Sequence, residues 1–151
     1  MIVINPNEKN LKQVDQLIHQ LYQTTRVMSK MVNRSLESTN IYSSEWTILR
    51  TVHDRGTMTQ TMLANYLNIE PAAISKSLRR LEGKDLITRR SGSDKREKYI
   101  YLTQQTLEHY NEWSEIVEMN CYRVWNALSL EEQEMLSKLL QKVRDKLEDL
   151  N

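Results

Sequence analysis

The sequence predicts a mainly α-helical chain carrying one small β-hairpin. Three observations lead there. Only three glycines and two prolines interrupt 151 residues, so helices can run long. Apolar residues recur at steps of three and four in extended runs near both ends. One stretch, residues 86–103, gives up that period: "LITRR" and "EKYIYLT" flank a flexible "SGSDKR" tip, the pattern of a short hairpin.

The first run spans about 9–37. Leu11, Val14, Ile18, Leu21, Thr25, Met28 and Val32 place a continuous buried stripe on one helix. A second helix is expected at about 44–54, capped by Ser43, with Trp46, Leu49 and Val52 inward and Gly56 as its stop. Thr57 and Gln60 fit a capping box that starts a short third helix ending near Tyr66. "LNIEP" reads as a turn. Pro71 suits the first position of a fourth helix, where its missing N–H costs nothing; that helix runs to about residue 83. After the hairpin, Leu107, Tyr110, Ser114, Val117, Cys121, Val124 and Leu128 predict a helix over 104–126, about 35 Å long. Ser129 and Glu132 form a capping box for a last amphipathic helix with Leu136, Leu140, Val143, Leu147 and Leu150. The stripes on the first, fifth and sixth helices exceed what a small core needs. They pack either as a long hairpin within one chain or between two interleaved copies, and the second is the expectation.

Charge divides the chain. Residues 70–103 hold nine Lys/Arg against five Asp/Glu, whereas residues 104–151 hold five against ten. A basic middle segment points to a polyanion contact confined to one part. Other classes find little support. No apolar run approaches the roughly 20 residues of a membrane span, and the N-terminal "MIVINPNEKN" lacks the basic-then-apolar order of a signal peptide. A single cysteine, Cys121, precludes an intrachain disulfide and fits a reducing cytoplasm. His19, His53 and His109 are scattered without metal-ligand spacing, and no glycine-rich phosphate loop exists, so neither an enzyme nor a cofactor or metal is expected.

Residues 57–83, "TMTQTMLANYLNIEPAAISKSLRRLEG", carry the functional signal. Leu63, Ala64 and Leu67 make an inner face on the first short helix; Ile74, Leu78 and Leu81 make one on the second. The opposite face of the second offers Ala72, Ala73, Ser75, Lys76, Arg79 and Arg80. Two short helices, a tight turn, and small residues early with bases later suit a helix-turn-helix. Small residues let the backbone approach base edges, Ser75 can bond a base or phosphate, and Lys76 and Arg79 reach guanine acceptors or phosphates. An ordinary amphipathic pair with a solvated basic face is the alternative.

The hairpin directly behind this unit makes it a winged helix. "LANYLNIEPAAISKSLRRLEGKDLITRR" followed by "SDKREKYIYLT" resembles the MarR family (multiple antibiotic resistance regulators) of bacterial transcription factors. That family's wing carries an Asp-x-Arg pattern, matched by Asp94-Lys95-Arg96, and the helix order matches end to end. The resemblance implies one MarR-type domain over 1–151: a winged helix-turn-helix DNA-binding lobe at 38–103 and a helical dimerisation lobe from 1–37 and 104–151. It implies a homodimeric, sequence-specific regulator of transcription, a repressor by preference, on a near-palindromic operator of double-stranded DNA. A winged-helix module that binds protein is the alternative. The implied DNA-facing set is Gln60 and Thr61, then Ala72, Ala73, Ser75, Lys76, Arg79 and Arg80 on the recognition helix, and Asp94, Lys95 and Arg96 at the wing. Arg96 would enter a minor groove, whose narrow walls concentrate negative potential, while Asp94 braces that arginine or the wing backbone. Release by a small aromatic ligand is also implied, with His19, Tyr22, Arg26, Trp46 and Tyr110 as candidate lining, although ordinary packing competes for each. The family's redox sensing relies on a cysteine in the first helix. None is present there, and Cys121 on the apolar stripe of the fifth helix fits packing better. Two positions depart from the family pattern: Asp85 stands where a glycine is common before the wing, and Glu70 stands where a Ser/Thr cap is usual.

Overall fold

The computed structural model describes residues 8–150, with side chains placed from Asn10 onward. Most of the N-terminal stretch expected to lack an export signal lies outside the described residues. Helix α1 covers Glu8–Ser35, and a single 3-10 turn follows at Glu37–Thr39. Then come α2 (Ser43–Arg55), β1 (Met58–Thr59), α3 (Gln60–Leu67), α4 (Pro71–Gly83), β2 (Ile87–Ser91), β3 (Lys98–Leu102), α5 (Gln104–Trp125) and α6 (Leu130–Glu148). The fold class is the expected one, mainly helical with a winged helix-turn-helix. No helix among the described residues is long and apolar enough to cross a membrane.

The three strands form one antiparallel sheet in the order β1-β3-β2. Ile87 pairs with Leu102, Ser91 with Lys98, and Met58 with Ile100. The central strand thereby points Ile100 into the core, fully buried. Around it pack Ile48 and Leu49 from α2, Leu63 from α3, and Ile74, Leu78 and Leu81 from α4; Tyr110, Trp113 and Val117 of α5 close the cluster. Each fully buried aliphatic side chain contributes about 1.5–3 kcal/mol of transfer free energy.

Local chemistry accounts for the boundaries and for three departures from expectation. Ser43 is the first residue of α2, not its cap; Tyr42 is. The Tyr42 N–H donates to the Glu45 carboxylate at 3.0 Å, and the Ser43 N–H donates to Asn33 Oδ1 at 2.7 Å. Nor do Thr57 and Gln60 frame α3. Thr59 caps it, its Oγ1 accepting the Met62 N–H at 3.2 Å, because Met58 and Thr59 are drawn into extended pairing with β3. This third strand was not expected. The Ser129–Glu132 capping box forms as predicted, with bonds of 2.8 and 3.2 Å.

Helices α3 and α4 end alike, each on a left-handed residue: Asn68 at φ 51° and Asp85 at φ 57°. Behind each, two backbone bonds close the end, Ile69 N–H to Ala64 O and Asn68 N–H to Asn65 O after α3, Leu86 N–H to Leu81 O and Asp85 N–H to Glu82 O after α4. The left-handed turn explains the preference for glycine at position 85, and short polar side chains tolerate it next best. Gly83 remains helical and is the last residue of α4, as expected from the sequence.

The apolar stripes divide the molecule. On α1, Leu11, Val14, Ile18 and Leu21 stay about half exposed, and on α6 no residue is buried. The continuous burial expected of α1 is therefore not met within one chain. Covering reaches only its far end, where Val32 packs on the core. Helix α5 is mixed: Tyr110, Trp113 and Val117 are buried, whereas Met119, Tyr122 and Val124 are exposed.

Candidate nucleic-acid interface

Helix α4 owes its two faces to its sequence period. Ile74, Leu78 and Leu81, with Ser77 between them, are buried. Ala72, Ala73, Lys76, Arg79 and Arg80 are exposed and Ser75 is half-buried. The expected DNA-facing set on this helix is thus presented on one surface. Glu70 is the N-cap, but no side chain caps the helix start. Its free N–H groups and the dipole there favour an anion.

The wing is paired along its strands and built by backbone bonds at its tip. Gly92 N–H donates to Glu97 O and Glu97 N–H to Asp94 O, both at 3.0 Å. Asp94 Oδ1 accepts the Arg96 backbone N–H at 2.9 Å. Of the two roles expected for Asp94, the hydrogen bond realises the brace on the wing backbone; the Arg96 side chain is exposed, as is Lys95. A Cβ at Gly92 would lie 2.7 Å from the Tyr99 ring, so a larger residue there must displace that ring. A groove of about 490 Å³ separates wing from α3, lined among others by Gln60, Thr61, Arg89, Arg96, Lys98 and Tyr99.

Three side chains that shape this surface escaped the sequence reading: Arg89, Glu45 and Lys84. Arg89 on β2 donates to Gln60 Oε1 at 3.4 Å and pairs with Glu82 Oε2 at 2.9 Å, so it staples the wing to both α3 and α4. Gln60 is half-buried and shares its carbonyl with this staple. The signal was the period of two, which puts Arg89 on the same face as buried Ile87. Glu45 is fully buried, with Lys84 Nζ 2.7 Å from Oε2 and Arg80 Nε 3.3 Å from Oε1. The second contact is an ion pair without hydrogen-bond alignment. Here too a pattern existed: Glu45, Ile48 and Val52 share one face of α2, with a carboxylate in an apolar row. Lys84 also donates to Asn40 O, and the Tyr42 ring lies 5.0 Å from Lys84 Nζ and 5.8 Å from the Arg80 guanidinium carbon.

The candidate ligand residues separate. Trp46 and Tyr110 are buried and stacked, centroids 5.3 Å apart, and Tyr110 also stacks on His53 at 3.6 Å. Burial pushes the Tyr110 phenol above its ordinary pKa. His19, Tyr22 and Arg26 are exposed on α1. Cys121 is half-buried and packs against the core.

Comparison with known proteins matches this arrangement. A model of the MarR family fits residues 41–98, from the start of α2 to the wing's second strand. YwoH of Bacillus subtilis (strain 168), an HTH-type transcriptional regulator, is 40% identical over 96 residues, 64% of this chain and 70% of that protein. The chain belongs to the MarR family. Among solved structures, the organohalide-sensing regulator RdhR-CbdbA1625, ligand-free, superposes with a TM-score of 0.85 at 24% identity, covering 100% of this chain and 91% of that one. A cysteine-to-serine variant of E. coli MarR complexed with operator DNA gives 0.77 at 21% identity, covering 92% and 99%. As a MarR-family member the protein is a DNA-binding regulator of transcription.

Proposed function

We propose that this MarR-family protein is a homodimeric repressor that binds a near-palindromic operator and is released by a small aromatic ligand. The carrying observation is the pairing of one exposed basic helix face, α4, with a wing whose tip is shaped by Asp94 and leaves Arg96 exposed. Two recognition helices in adjacent major grooves, with wings on the flanking minor grooves, follow if the exposed stripes of α1 and α6 join two copies. In this reading 38–103 is the DNA-binding lobe, and 1–37 with 104–151 is the dimerisation lobe of a non-catalytic cytoplasmic protein. The E. coli MarR variant complexed with operator DNA supports the operator, and RdhR-CbdbA1625 bound to 2,4-dichlorophenol supports binding of a small aromatic ligand.

Selection of bound sequences from random duplex DNA tests the reading. It should enrich a near-palindrome with half-sites about one turn apart, bound at about 10⁻⁸ M or tighter. Uniform recovery of all sequences would instead favour a winged-helix module for protein binding. Within the selected complex, Arg79→Ala should weaken specific binding more than non-specific binding if Arg79 reads a base; equal losses on both duplexes would make it a phosphate contact.

A further inference from the structure

We infer that Glu45 is the positioning residue of the recognition helix, and that Arg80 serves DNA binding through Glu45 and not by touching DNA. The inference rests on the DNA-binding reading of α4. Lys76, Arg79 and Arg80 all lie on the exposed side of α4, and by sequence they are equivalent. The structure separates them. Arg80 and Lys84 converge on one carboxylate that has no exposure to water, while salt bridges of the described residues leave Lys76 and Arg79 out.

A fully buried carboxylate holds its partners tightly, because an unpaired charge there costs several kcal/mol. The cost falls unevenly. Arg80 and Lys84 are 42% and 22% exposed and can turn to solvent, whereas Glu45 cannot. Leaving the carboxylate is therefore unfavourable for the site even though each cation could be hydrated. Lys84, donating also to Asn40 O, fastens the last turn of α4 to the loop before α2. Glu45 at the same time accepts the Tyr42 N–H, so one side chain sets both the start of α2 and the end of α4. The α2 start is bonded in turn to α1 through Asn33, and α1 to α5 through Asn120 Nδ2 to Ser35 Oγ at 2.9 Å. The axis of α4 against the other helices thus depends on an electrostatic clamp at its end.

The test uses the full-length protein, the duplex recovered by selection and a random-sequence duplex, with affinities measured between about 50 and 200 mM salt. Glu45→Gln keeps the size and an acceptor for the Tyr42 N–H but removes the charge. It should weaken binding to the selected duplex about tenfold and leave random-duplex binding unchanged or tighter, since two cations are released. Arg80→Gln, at a half-exposed position, should give a specific loss no larger than this, since Lys84 still holds the carboxylate, with an unaltered salt slope. The double variant should lose no more than the weaker single. The inference is overturned if Arg80→Gln lowers the salt slope by about 0.9, the signature of one lost phosphate contact, or if the two losses add. A wild-type protein that selects no sequence overturns the DNA-recognition reading and this inference with it. A wild type that selects while both variants bind as it does overturns the inference alone.

Discussion

The winged lobe and the long helices solve burial in opposite ways. Between Leu36 and Ile100 the chain closes on itself with part of α5: Leu63, Leu78 and Leu81 have no exposed surface, and the sheet and four helices supply one another's partners. Along α1 and α6 the same kind of apolar period leaves Leu17, Val27, Leu139 and Val143 more than half exposed. Equal amphipathicity in sequence thus has two outcomes. A helix of 13 residues can be surrounded by its neighbours, but one of 28 residues outruns them. Monomeric proteins rarely expose contiguous apolar area on this scale, which is why the long helices are read as the place where a second copy joins.

The comparison can be broken from either side. The largest effect belongs to the closed lobe: Leu78→Ala should cost about 2–5 kcal/mol in denaturant unfolding, and a loss below about 1 kcal/mol would mean the core is not shared as described. Next, Leu140→Asp with Val143→Asp on α6 should turn a dimer into a monomer in sedimentation at micromolar concentration, and weaken binding to a selected palindrome about 100-fold or more as the two lobes become unlinked. A wild-type monomer would remove the contrast altogether. Arg96→Ala should cost about 1–3 kcal/mol of DNA binding in a titration, with folding unchanged, because the side chain is exposed and only its backbone N–H is used. The smallest effects fall at the joint between α4 and the wing. Asp85→Val should lower stability by about 1–2 kcal/mol, since a branched side chain resists the left-handed region. Asp85→Gly should change it by less than about 0.5 kcal/mol, strain relief being offset by a freer unfolded chain.

Where the sequence was legible, several local signals agreed. Pro71 marked the start of α4, and the apolar steps through Leu81 carried it to residue 83, as observed. Ser129 and Glu132 located α6 for the same reason: a cap is a bond between near neighbours, visible in the order of residues. Strand β1 was not legible, because two residues have no period and their pairing partner, β3, lies some forty positions away. The site divided similarly. The exposed face of α4 could be read from one helix, and the Asp94 turn from adjacent residues. Glu45 and Arg89 could not be read as a clamp and a staple, because their partners are distant in sequence: Glu45 lies 39 positions from Lys84 and Arg89 lies 29 from Gln60. Their charges stood out against apolar rows, but a row shows only that a partner is needed, not which.

The threonines that open α5 have a mechanical consequence. Thr103 Oγ1 donates to Asp85 O at 2.8 Å, and Thr106 Oγ1 to Leu86 O at 2.7 Å. The helix therefore starts without slack, bolted to the residues from which the wing departs. Its 22 residues span about 33 Å. Seen from the bolt, a tilt of about 10° moves the far end by about 6 Å; seen from the far end, a displacement of that size turns the winged lobe by the same angle. Adjacent half-sites lie only one helical turn of DNA apart, so in the proposed dimer a few ångströms at the far end of α5 would be enough to carry the two wings out of register with such a site.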